Sequence, residues 1–359
     1  MIPRSIAIWF MIVFPSLLVG DQPKEKYPPP EDVAKAFQKL LDRPKVLFNV
    51  NNIDAKKDDD GLVTEQLTFV SERKTDGTEE RVPLLLMRPE KRDKKRPVVI
   101  VLHGTGGDKE SQRPWLIHLV KRGIIAVAID ARYHGERVPD VKGAEAYVAA
   151  IAKAWKTKEG EKQEYPFFFD TCWDLWRTVD YLETRDDIDP KRIGMIGLSM
   201  GGIQTWLAAS VDDRVQVVVP AIAVQSFRWS LENDKWQGRA RTIKAAHEEA
   251  AKDLGEKEVN AKVCKALWNK VIPGILDQFD CPSMIRLFAG RPLLILSGDK
   301  DQNCPIEGAK LAFAAAEEAY KKAKAEDRLK IMVAKDSGHT VTAEQRKAAL
   351  EWFEKWLKP

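Results

Sequence analysis

One stretch limits what this chain can fold into more than any other. Arg192–Ile196 (RIGMI) is short and apolar, like a buried strand. Gly197-Leu198-Ser199-Met200-Gly201 follows it directly, and then comes a helix-like run with Gln204, Trp206, Leu207 and Ala208. A G-x-S-x-G pentapeptide between a strand and a helix is a sharp turn that lifts the serine hydroxyl above a sheet. Only small flanking residues let the backbone turn so tightly. The helix N-terminus just beyond it favours developing negative charge. Without those flanks the pentapeptide would be a glycine-rich turn with a capping serine; with them, Ser199 is the predicted nucleophile.

That strand has neighbours of the same type. Pro97–Leu102 (PVVIVL) ends in His-Gly, Ile124–Ile129 (IIAVAI) in Asp130, Val215–Val219 (VQVVV) in Pro220, and Leu293–Leu296 (LLIL) in Ser-Gly-Asp. Leu329–Val333 is a further candidate, and two β-like runs at 62–71 and 81–88 flank the turn signal Asp76-Gly77. Short β-branched runs without alternation read as strands buried on both faces of a parallel sheet. Helical patterns lie between them at about 111–122, 171–184, 201–209, 306–324 and 343–357. The predicted fold class is α/β: a mostly parallel central sheet with helices on both faces. In such sheets ligands bind beyond the carboxyl ends of the strands.

One interval breaks the rhythm. Roughly 70 residues separate the run near 215–219 from that near 293–296, and they are charged and helix-prone, with Trp229, Trp236 and Trp268 among them. A loop of that length usually has structure of its own. It predicts a helical insertion, about 224–290, before the acid-bearing strand and over the site.

The N-terminus reads as a targeting segment. Arg4 precedes the apolar run Ile6–Val19, then Gly20 and a polar stretch. The run is short for a span of about 20 residues and contains Pro15. Residues 1–20 are the predicted signal peptide, and the protein is expected to be exported, periplasmic or secreted. If uncleaved, this segment would be its tie to a membrane. Residues 21–61 form an N-terminal extension: a Pro-rich tether over 21–30, a short amphipathic helix over 31–41 with Val33, Phe37, Leu40 and Leu41 on one side, and a polar loop over 51–61. The main domain is 62–359.

Composition narrows the function. The 58 Lys+Arg and 54 Asp+Glu nearly cancel, so no basic stripe supports a nucleic-acid partner. Cys172, Cys264, Cys281 and Cys304 form no C-x-x-C pair and no Cys/His cluster, which argues against zinc and thioredoxin-like chemistry. In an exported chain one or two disulfides remain open. No motif points to a cofactor or metal.

The remaining parts of a serine site can be placed by position. His103-Gly104-Thr105-Gly106-Gly107 follows a strand, and such a small-residue loop lets backbone N–H groups face a reacting carbonyl. The predicted oxyanion donors are the N–H groups of Thr105 and Met200. A phosphate loop would need a Gly-Lys-Ser/Thr ending, which is absent. Of five histidines, His339 follows the last strand and precedes the last helix, where a base in the order Ser, acid, His belongs. His134 is a distant second. Asp299 and Asp301 both follow the strand Leu293–Leu296 and either could orient the base.

These residues carry a family resemblance. The chain resembles the α/β-hydrolase superfamily, within the branch shared by acetyl xylan esterase-like, dienelactone hydrolase-like and prolyl oligopeptidase-like enzymes. The carriers are His103–Gly107, Asp130–Glu136, Asp189–Gly194, Gly197–Gly202, Gly298–Pro305 and Ser337–His339, across roughly 62–359. The resemblance implies that Asp301, a few residues before Pro305, is the acid. It implies a serine hydrolase acting on a small-molecule ester: a carboxylesterase for short-chain esters, with acetylated carbohydrate as a candidate substrate. A small serine peptidase is the alternative, for which Glu232, Arg239 and Arg241 could supply a charged pocket. Ser199 in place of Cys argues against dienelactone chemistry, and the charged insertion against a lipase activated at an interface.

Overall fold

The computed structural model describes residues 27–58, 61–141 and 143–358. The predicted signal segment, residues 1–20, lies outside them. Among the described residues, nine strands form one sheet: β1 Asn51–Lys57, β2 Leu62–Arg73, β3 Glu79–Pro89, β4 Arg96–Leu102, β5 Ile125–Ile129, β6 Ile188–Leu198, β7 Val215–Ala221, β8 Leu293–Gly298 and β9 Leu329–Ala334. Twelve α-helices accompany them within the described residues: α1 Pro30–Leu41, α2 Arg113–Val120, α3 Glu145–Trp155, α4 Phe169–Glu183, α5 Met200–Ser210, α6 Phe227–Glu232, α7 Gln237–Arg241, α8 Lys244–Asp253, α9 Ala261–Val271, α10 Cys281–Met284, α11 Ile306–Lys322 and α12 Ala343–Leu357.

The strand order is β1-β2-β3-β5-β4-β6-β7-β8-β9. From β5 to β9 every pairing is parallel, whereas β1, β2 and β3 join antiparallel. The α/β class, the mostly parallel sheet and the insertion before the β8 strand are as the sequence predicts. The reason is visible in β4. Val98, Ile100 and Leu102 enter one apolar core, and Val99 and Val101 enter the other. A strand buried on both faces needs no polar alternation. The helices α2 and α12 cover one face, while α1, α4, α5, α11 and the insertion contribute to the larger core on the other.

Two features differ from the sequence reading. The stretch 51–57, read as polar loop, is the edge strand β1, paired antiparallel with β2. It is polar because one rim of a sheet can face water, and lysines at an edge discourage further pairing. The helix α3 lies outside the helical patterns that the sequence predicts. Meanwhile α1 buries Val33, Phe37 and Leu41, so part of the 21–61 stretch shares the core of the main domain. Phe37 meets Phe169 and Phe279 edge-on, each with ring centroids 5.1 Å apart.

A buried ionic network fixes the antiparallel end. Arg132 bonds Glu72 on β2 at 2.8 Å and Asp174 on α4 at 3.0 Å, and Arg43 reaches Glu72 and Asp170. Neighbouring guanidinium groups hold the Asp174 carboxyl well below its ordinary range, against the opposing effect of burial. All four cysteines are buried free thiols.

The insertion is closed at its root. Asp280 accepts from the Ser226 hydroxyl at 2.5 Å and from the N–H groups of Phe227 and Cys281 at 2.8 Å, tying its two ends together. Burial pushes the Asp280 carboxyl up to about 6. Within the insertion Trp268 is fully buried and donates its indole N–H to His247 at 3.0 Å.

Candidate active site

Ser199 stands between β6 and α5 with φ 53° and ψ −113°, a backbone conformation that costs a non-glycine residue on the order of 1–3 kcal/mol. The surrounding glycines explain how the turn is made. A Cβ on Gly197 would sit 2.2 Å from the Gly201 carbonyl group, and one on Gly201 would sit 2.6 Å from the His103 carbonyl oxygen. Ile203 N–H closes on the Ser199 carbonyl at 3.0 Å, which starts the helix.

His339 lies in the loop between β9 and α12. Its Nδ1 meets Asp301 Oδ2 at 2.7 Å, and its Nε2 meets Ser199 Oγ at 2.7 Å. With the proton on Nδ1 donated to the carboxylate, Nε2 is left to accept the serine hydroxyl proton. The structure therefore brings Ser199, His339 and Asp301 into one hydrogen-bonded chain. The other Asp301 oxygen accepts from the N–H groups of Asn303 at 2.8 Å and Cys304 at 3.0 Å, which fixes the carboxylate. Asp299 does something else: it accepts from Ser337 N–H at 3.0 Å and pins the His339 loop. A capping box of Thr342 and Gln345 starts α12, and the Gln345 amide donates to Ser297 and Met332 carbonyls, anchoring that loop to the ends of β8 and β9.

On the opposite side, Gly107 N–H bonds the Gly104 carbonyl at 3.0 Å, and Gly106 has φ +78°. That is a turn whose third residue needs a positive φ, with Thr105 at its second position. A Cβ on Gly104 would lie 3.6 Å from the Ser199 Cβ, so this loop borders the serine. Met200 is the first residue of α5, where backbone N–H groups have no partner within the helix. His103 supports the loop. Its Nε2 accepts from Ala131 N–H at 3.1 Å, which leaves Nδ1 to donate to the Gly104 carbonyl at 2.8 Å. Burial lowers its pKa and keeps this neutral form. His134 is buried behind it, 5.1 Å ring to ring, and bonds the Arg132 carbonyl at 2.9 Å. It does not enter the Ser199 chain.

Asp301, Cys304 and His339 offer ligand atoms within 4.8 Å of one another. Two of the three are engaged with each other, and burial pushes the Cys304 thiol up to about 12, so a protonated sulfur makes this a poor metal site. Of the charged residues considered for reading a peptide terminus, Arg239 is buried against Asn303 and Cys304, Arg241 bonds Gln302 at 2.7 Å, and Glu232 is exposed. Gln225 and Arg239 reach Asn303 and Cys304 beside Asp301, and no local motif announces them.

Fold and site together define a serine hydrolase of the carboxylic ester class on an α/β-hydrolase scaffold. The profile of the acetyl xylan esterase (AXE1) family matches residues 30–229, and the chain belongs to that family. The Bacillus subtilis protein YtaP is 25% identical over 291 residues, covering 77% of this chain and 84% of the relative. Among solved structures, acetyl xylan esterase 1 from Thermoanaerobacterium is similar with a TM-score of 0.66 at 19% identity, covering 92% of this chain and 95% of that one. A glucuronoyl esterase from Solibacter usitatus gives 0.61 at 16% identity, covering 90% and 91%. At such identities the structures speak to the fold. Among the described residues, no helix is long and apolar enough to cross a membrane.

Proposed function

We propose that this chain is an exported serine carboxylesterase that removes short acyl groups, acetyl foremost, from carbohydrate esters. Ser199 Oγ attacks the ester carbonyl while His339 Nε2 takes its proton. The Thr105 and Met200 N–H groups bind the oxyanion, and Asp301 stabilises the imidazolium. The tetrahedral intermediate collapses as His339 gives the proton to the departing alcohol oxygen. Water, deprotonated by the same imidazole, then attacks the acyl-enzyme and releases the free acid with Ser199 restored.

The observation that carries this reading is the hydrogen-bonded chain from Ser199 through His339 to Asp301, at 2.7 Å for each link. Membership of the acetyl xylan esterase family supports the acetyl-carbohydrate substrate. Trp229 and Trp236 are half-buried in the insertion, where an aromatic face can stack on a sugar ring. Export rests on the apolar run Ile6–Val19 behind Arg4.

The test compares purified enzyme on p-nitrophenyl acetate, butyrate and octanoate, on acetylated xylo-oligosaccharides, and on aminoacyl p-nitroanilides. Acetate and acetyl-sugar cleavage should lead, with octanoate slower and anilides near background. Anilide turnover outpacing the esters would move the chain to the peptidases. Trp229→Ala and Trp236→Ala should depress acetyl-sugar cleavage more than p-nitrophenyl acetate cleavage; equal rates on both would discard the aromatic platform.

A further inference from the structure

A fully buried arginine stands behind the acid loop without a carboxylate. Arg239, on α7 of the insertion, is 1% exposed, and among the described residues no Asp or Glu lies within ion-pair distance of it. Burying a charge unpaired is expensive, and an apolar side chain would fill the same space at lower cost. The guanidinium must therefore be explained by what it holds.

It holds the loop that carries Asp301. Arg239 Nη2 donates to the Asn303 carbonyl at 3.3 Å and lies 3.1 Å from Cys304 Sγ. The Gln225 amide, oriented to match its neighbours, donates to the same Asn303 carbonyl at 2.9 Å and accepts from Arg239 at 3.2 Å. Asn303 and Cys304 are the two residues whose N–H groups fix the Asp301 carboxylate. Cys304 Sγ in turn donates to the Ile222 carbonyl at 3.2 Å, behind the elbow strand's neighbour β7. The insertion is pressed onto this loop at the same point. A Cβ on Gly238 would come within 1.9 Å of the Gln302 carbonyl oxygen, so only glycine lets α7 approach so closely. The Phe168 and Phe227 rings flank the guanidinium at 6.0 and 5.9 Å, closing it from water.

We propose that Arg239 is a positioning residue of the active site: from the insertion it locks the 301–304 loop and, through Asp301, sets the orientation of His339. This rests on the triad reading above. The insertion thereby supplies one wall of the acid's socket. A misplacement near 1 Å at a reacting group costs on the order of 100-fold, which sets the scale of the effect.

The test is a double-mutant cycle on full-length enzyme with p-nitrophenyl acetate. Arg239→Met should lower kcat about 10- to 100-fold with KM within about twofold, and Arg239→Lys should recover part of the loss. In an Asp301→Asn background, Arg239→Met should change the rate less than about threefold, since a residue acting through Asp301 has nothing left to position. Gln225→Leu provides a second route through the same cycle should Arg239→Met fold poorly, as read by thermal unfolding. Equal losses with and without Asp301 would overturn the proposal, as would unchanged kcat in Arg239→Met and Gln225→Leu while Asp301→Asn is slow. If Asp301→Asn itself turns over at the wild-type rate, the acid assignment falls, and the proposal with it. Ser199→Ala on the same substrate reports separately on whether this chain is a serine esterase.

Discussion

The elbow side and the insertion side of this site hold three side chains in place by opposite means. Around Ser199 the work is done by backbone. Gly197, Gly201 and Gly202 let main chain approach main chain, and the Gly104–Gly107 turn borders the serine. Around Asp301 it is done by long side chains from distant sequence: Arg239 and Gln225 reach residues 303 and 304. A backbone device tolerates almost no substitution, because any Cβ collides with atoms that cannot move. A side-chain device degrades gradually, because a shorter or neutral group leaves part of the contact. The contrast can be broken or sharpened by mutation.

The largest effect belongs to the backbone side. Gly197→Ala should abolish esterase turnover by more than about a thousandfold and lower the thermal midpoint, because its Cβ overlaps main-chain atoms at 2.2 Å. Near-normal activity would mean that the elbow yields more than this packing allows. His103→Leu comes next. It removes the imidazole that links Gly104 to Ala131, so the Gly104–Gly107 turn loosens; if that turn supplies the proposed oxyanion donor, kcat should fall about 10- to 100-fold, short of the loss expected when a donor itself is deleted. An unchanged kcat would show that the loop holds its shape without it.

The smallest effect lies in the insertion's interior and is a matter of pH. Burial pushes His247 down to about 4, while an unfolded histidine titrates near 6.5. A depressed folded value means that its contribution is whole above about pH 6.5 and is lost as pH falls toward 4. His103 and His134 are depressed by burial in the same sense. Acid should therefore begin to destabilise the fold above the range where Glu72 and Asp174 start to protonate. His247→Gln should flatten the loss of stability between pH 7 and pH 4.5 by on the order of 2 kcal/mol, followed by thermal unfolding at both values. An unaltered slope would remove His247 from this account.

The same contrast decides what could be seen in the sequence. The strands β4 to β9 announce themselves because both faces are buried, so β-branched runs stand out and end in the small residues that make the site. Ser199 and His339 are legible from their places between strand and helix. Asp301 and Asp299 are not separable by position alone; the hydrogen bonds part them, one to the imidazole and one to Ser337 N–H. The β1 strand is hidden because an edge can be built from polar residues with no alternation to detect. Arg239 reads as one more charge in a charged insertion, since its partners lie 64 and 65 residues away. Likewise nothing local marks Trp268 as core, and Trp229 and Trp236 as half-buried. Motifs made of backbone are written locally; sockets made of side chains are written only in the packed chain.

The most direct test of the central claim is covalent. A fluorophosphonate reacts with a serine hydroxyl only where a base activates it and donors receive the developing oxyanion. Intact mass and peptide mapping should find one adduct per chain, on Ser199, absent in Ser199→Ala and formed at least a hundredfold more slowly in His339→Ala. Stoichiometric labelling that persists in Ser199→Ala, or wild-type enzyme that stays unlabelled while folded, would contradict the account at its centre.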